Sequence, residues 1–171
     1  MKTPQKTPHT YTDKNETGCC AVPNVAAWDK KVIELHDRRF IKLHTRSALF
    51  MPLNMDEVMA ELQRVATEAD ALMPPEDVMI LSRDLSPWKA EQLYSVSKEV
   101  EGAENVILNG SFASMVFEGE YKNAGKWMNS LKEFVKEFDR EIDEVYFFYT
   151  TCPKCAEHYG KNFVIALAKL N

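Results

Sequence analysis

With 171 residues, 45% of them hydrophobic, the chain is long enough to bury one core and too apolar to be disordered. Its net charge of −5 excludes an extended phosphate-binding surface, and the basic run Asp37-Arg38-Arg39 with Lys42 is too short to reverse that. No apolar run approaches the roughly 18–20 residues of a membrane span, so neither nucleic acid nor membrane is expected as a partner.

Residues 1–18 are rich in Thr, Lys and Pro and lack the apolar core of a signal peptide, which predicts a disordered tail on a cytoplasmic protein. Residues 19–171 read as a single domain, opening with an irregular segment that carries Pro23 and Trp28. A strand is expected over about 39–50, where Ile41, Leu43 and Thr45 alternate with Lys42, His44 and Arg46. Asn54 then stands at a helix cap with Glu57 three residues later, the spacing of a capping box. The helix keeps its apolar face through Leu72, and Pro74-Pro75 forbids its continuation. Strands follow near 78–83 and 92–100, separated by a loop carrying Trp88, so the unit is β-α-β-β. Gly102 to Asn109 connects it to a second unit. There a strand spans about 110–118, Gly119 to Lys122 turns, and a helix runs from about 124 to 140. Its apolar face is Trp127, Met128, Leu131, Phe134, Val135 and Phe138. A strand at 145–151, a loop from Cys152 to Asn162 and a strand at 163–170 complete the order.

The two units follow one plan at an offset of 69 positions. Asn54 maps onto Asn123, and Val58, Met59, Leu62 and Val65 map onto Trp127, Met128, Leu131 and Phe134. Tyr94 and Val96 map onto Phe163 and Ile165, with no insertion between first strand and last. The prediction is an α+β fold of duplicated β-α-β-β units, about 39–100 and 109–170, related by a pseudo-twofold axis. The groove between the copies is the expected place for a ligand.

The run Val116-Phe117-Glu118-Gly119-Glu120-Tyr121 and the helix Asn123 to Leu131 with Trp127 resemble the GyrI-like family of effector-binding domains. The pair Cys19-Cys20 and the run Thr151-Cys152-Pro153-Lys154-Cys155 are similar to a stand-alone branch of it, often labelled hydrolase. The resemblance implies two β-α-β-β modules and an aromatic cleft with a carboxylate, taking a hydrophobic or amphipathic small molecule, cations included. It places that carboxylate in a Phe-Glu-x-Tyr setting on a late strand. Here Glu144 and Tyr146 keep the Glu-x-Tyr spacing, at the beginning of the strand. Its alternative is a cofactor-independent hydrolase acting on a reactive apolar molecule in the same cleft, so binding and catalysis both stand open.

The residues themselves offer three constellations. Cys152-x-x-Cys155 suits zinc, because a tight turn brings two thiolates to one tetrahedral ion, and Cys19-Cys20 supplies the second pair. Reduced unmetallated thiols and redox chemistry are the competing readings, the latter weakened because no long helix follows Cys155. Glu118, which strand alternation places beside Phe112, Ser114 and Val116 and which is matched to Leu49 in the first unit, is a cleft carboxylate or an exposed residue at a strand end. The run Tyr146-Phe147-Phe148-Tyr149 points to both faces of a sheet, so two of its rings leave the helix-packed core. The expected anchors are Glu118, Glu144 and Tyr146, with Trp88, Tyr94, Tyr121, Phe148 and Tyr149 as walls. A structural zinc at Cys19, Cys20, Cys152 and Cys155 is the one cofactor expected.

Overall fold

A computed structural model describes residues 5–171. It divides into a terminal unit, Met1–His36 with Asn109–Asn171, and a central unit, Asp37–Leu108.

In the central unit, strand β2 (Lys31–Ala48, its first residues belonging to the terminal unit) turns back into the short β3 (Met51–Pro52). Helix α2 follows (Met55–Glu68), then β4 (Ile80–Ser86) and β5 (Lys89–Ser95). β5 lies between β2 and β4, antiparallel to both, with Ile41, Tyr94 and Ile80 in one cross-strand row. α2 buries Val58, Leu62 and Ala66 against that row, with Met59 and Val65 of the expected apolar set partly buried beside them. Two details differ from expectation. Asn54 stands at the helix start, but its side chain accepts from the Arg46 backbone N–H at 2.8 Å instead of capping. The helix ends before the prolines, because Asp70 takes a left-handed φ of 51° and the Ala71 N–H returns to the Ala66 carbonyl at 2.9 Å.

The terminal unit repeats the order. Strand β6 (Glu104–Glu118) precedes helix α3 (Ala124–Lys136), then β7 (Ile142–Tyr149) and β8 (Phe163–Leu170). β8 lies between β6 and β7, as β5 does between β2 and β4. α3 buries Trp127, Leu131, Phe134 and Val135 over Ala113, Phe147, Val164 and Ala166, with Trp127 stacked on Phe117 at 5.5 Å.

Strand order is therefore the same in both units, but the gap-free offset is not. Eleven residues separate α2 from β4 and two separate β4 from β5; the terminal unit has five and thirteen. The thirteen include helix α4 (Pro153–Tyr159), where a loop was expected, ended by Gly160 at φ 71°. The faces differ as well: Ile41 lies opposite Tyr94 on the face packed under α2, whereas Glu118 lies opposite Phe163 on the row turned away from α3, so the expected match of Tyr94 with Phe163 does not hold. β6 also begins within the expected connector 102–109.

The N-terminal segment carries short elements of its own. Residues 1–4 lie outside the described residues. From there, β1 (Gln5–Lys6) pairs in parallel with the start of β2, and Thr10 is buried. Helix α1 (Val25–Trp28) then seats Trp28 in the core, its indole N–H donating to the His9 carbonyl at 3.0 Å. Among the described residues, no helix is long and apolar enough to cross a membrane.

Candidate functional site

The sheet of the terminal unit has two faces, and alternation assigns them. Phe147 and Val145 face α3. Glu144, Tyr146 and Phe148 therefore point the other way, in register with Lys169, Leu167 and Ile165 of β8 and with Phe112, Ser114 and Val116 of β6. This is the division of the aromatic run expected from the sequence. Tyr146 is buried, and its hydroxyl donates to Glu144 Oε2 at 2.7 Å. Phe148 and Phe112 are buried beside it, and Ser114 is fully buried with no hydrogen-bond partner for its hydroxyl among the described residues. A half-buried carboxylate, a phenol and an unsatisfied hydroxyl thus share one apolar face.

The other expected residues do not join this group. Glu118 continues the Phe112, Ser114, Val116 row but is exposed at the end of β6. Tyr121 sits in a short turn after β6 and pairs at 5.8 Å with Tyr149, whose ring packs against the α3 core. In the central unit Tyr94 is core under α2, its phenol pushed up by burial. Trp88 is exposed in the β4–β5 turn, beside the exposed Leu49 and Phe50, where the Phe50 N–H donates to the Pro87 carbonyl.

The four cysteines do come together. Cys19 and Cys20 arrive on the N-terminal segment, Cys152 and Cys155 on the first turn of α4, and all four Sγ atoms lie within 4.8 Å of one another. Cys19 Sγ and Cys20 Sγ are 3.7 Å apart, matching the roughly 3.8 Å edge of a tetrahedron with zinc–sulfur bonds of about 2.3 Å. Cys155 is buried with Thr17 Oγ1 3.2 Å from its sulfur; hydrogen bonding there and to neighbouring thiols brings it down to about 6. Burial pushes Cys20 the other way. Four soft donors at this spacing form a closed set that fits a tetrahedral soft cation, with no position left for a substrate.

One buried charge went unnoticed in the sequence. Glu91, on β5, is 4% exposed; Arg83 Nε reaches it at 2.7 Å and Lys42 Nζ at 3.4 Å, while Lys42 also meets Glu104 at 3.1 Å. β5 is buried along both faces, so the alternation that marks a half-exposed strand was missing.

The family model described as bacterial hydrolase matches residues 10–170. The chain belongs to the bacterial hydrolase family. No curated protein matches it. Among solved structures, this bacterial hydrolase family member is similar to an uncharacterized conserved protein from Listeria innocua, at 11% identity and a TM-score of 0.63. That match covers 85% of this chain and 94% of the other. A hydrolase from Listeria innocua is similar at 10% identity and a TM-score of 0.59, with the same coverage. A protein solved with tetraphenylphosphonium bound is 14% identical, with a TM-score of 0.45 over 82% of this chain and 93% of that one. The first two likenesses establish that the fold is one already seen in solved proteins. The family's description is that of a hydrolase.

Proposed function

We propose that the chain binds a hydrophobic small molecule, lipophilic cations included, on the face of the terminal unit that carries Tyr146, Phe148 and Glu144. The observation that carries this reading is the Tyr146–Glu144 hydrogen bond at 2.7 Å among buried rings. A carboxylate beside aromatic faces attracts a cation by charge and by cation–π contact, both stronger where water is excluded. The phenol fixes the carboxylate's orientation. Structural zinc at the four cysteines belongs to the same reading, as a clamp away from the chemistry.

Hydrolysis is the second reading, favoured by the family to which the chain belongs. Glu144 would take a proton from a water molecule attacking an electrophilic carbon, while the Tyr146 hydroxyl holds the carboxylate in place. Titration with tetraphenylphosphonium and assay of a reactive aryl ester separate the two. Glu144→Gln weakening the cation and leaving ester turnover at background favours binding. Turnover by the wild type that Glu144→Gln abolishes favours the enzyme. Neither property changing sinks the assignment of this face.

A further inference from the structure

Residues 7–24 form a strap across the terminal unit. Its two arms pair with each other: the Thr12 N–H donates to the Val22 carbonyl, the Val22 N–H to the Lys14 carbonyl, and the Asn24 N–H to the Thr10 carbonyl. The middle of the strap covers one end of the face described above. Tyr11 stands edge-on against Phe148 at 6.1 Å, and its hydroxyl donates to the Thr150 carbonyl at 2.9 Å. The tip, Asp13 to Glu16, is exposed. It meets α4 through Tyr159, whose hydroxyl donates to the Cys20 carbonyl at 2.8 Å and accepts from the Glu16 N–H at 3.1 Å, and through His158 beside Glu16. Two of the four clustered thiols belong to the strap and two to α4.

From this placement we infer that zinc held by Cys19, Cys20, Cys152 and Cys155 fastens the strap over Phe148, and that loss of the metal uncovers that end of the ligand face. The inference rests on reading this face as the ligand site. The remaining ties between strap tip and α4 are single hydrogen bonds at exposed or part-buried positions, each weak enough for water to replace. Metal–thiolate bonds are not so replaced, and a closed tetrahedral site joins two segments far apart in sequence. Tyr11 follows the strap because it lies eight residues from Cys19 in a hairpin whose arms move together.

The test uses the full chain, purified under reducing conditions without chelator. Elemental analysis should give one zinc per chain. Hydrogen exchange is then compared before and after removal of zinc by a chelator. The amides of Thr12, Val22 and Asn24, with those of 148–150, should exchange at least about tenfold faster without metal, while α3 and β8 keep their protection. The double variant Cys19→Ser, Cys20→Ser should reproduce the metal-free pattern. Tyr11→Ala should keep its zinc yet lose protection at 148–150. Absence of stoichiometric zinc overturns the inference, and so does strap protection that survives metal removal. Tetraphenylphosphonium should associate faster with the metal-free form, and equal rates in both forms overturn the covering role. Failure of the probe to bind either form overturns the ligand assignment alone, since the exchange data read the strap independently.

Discussion

Replacing Ser114 by Ala should stabilise the protein, which is unusual for a change at a fully buried site. Ser114 is 0% exposed, and its Oγ has no hydrogen-bond partner among the described residues. Burying a hydroxyl without a partner costs about 1–3 kcal/mol on the scale of protein mutations. Alanine removes the oxygen and keeps Cβ, so the loss is a handful of dispersion contacts at about 0.1–0.2 kcal/mol each. The net expectation is a gain of about 1 kcal/mol. With a urea m-value of about 2 kcal/mol/M, the unfolding midpoint should rise by about 0.5 M at unchanged slope. The position also lies cross-strand from Leu167, which is itself cross-strand from Tyr146, on the proposed ligand face. An unsatisfied polar group retained there at a cost in stability is what a ligand contact would require. Weaker binding or slower turnover of a ligand carrying an acceptor group should therefore accompany the higher midpoint. A lower midpoint for Ser114→Ala would show the hydroxyl to be satisfied and refute the reasoning.

Other perturbations follow from the same structure. Glu91→Ala takes a buried carboxylate from Arg83 and Lys42; because both cations are partly exposed, the cost should be about 2–4 kcal/mol, the low side of a broken buried pair, by urea unfolding. Trp127→Ala empties the α3 core between Phe117 and Phe147 and should cost about 3–5 kcal/mol in the same assay. Burial lowers the Lys42 pKa, but Glu104 and Glu91 outweigh it, and the net value is raised above 10.5. A raised cationic pKa stabilises fully below the unfolded value and is lost as pH climbs through the folded one. Lys42→Met should therefore be less stable than wild type at neutral pH, and the gap should close only above pH 10.5.

Much of this was legible in the sequence where one face of an element is dry and the other wet. The α3 stripe of Trp127, Leu131, Phe134 and Val135 repeats at helical period, and the β7 run told its two faces apart by alternation. Legibility failed where that contrast vanishes. β5 is buried on both sides, which hid Glu91. The 69-residue offset misled because a short link after α3 is partly compensated by the long one holding α4, leaving the helices aligned and the strands shifted. α4 itself had signals, Pro153 in its first turn and Gly160 after its end, but seven residues are too few for a period to show. The strap had none. Its order comes from backbone pairing and from Tyr11, which no local pattern announces.

The energetics of the terminal unit point to the part that yields first. α3 is held by large buried rings, and fully burying each such side chain is worth about 1.5–3 kcal/mol. β8 is paired along both edges and buried on both faces, so neither element moves without global unfolding. The strap tip, by contrast, is exposed and tied by hydrogen bonds of about 1 kcal/mol each. Tyr146 and Phe148 are buried as the structure stands, so a ligand reaching them needs something to give way. The strap, weakly tied at its tip, touches that face through Tyr11. The same segment carries two of the four clustered thiols, so the chemistry of those sulfurs and access to the face are linked through one short stretch of chain.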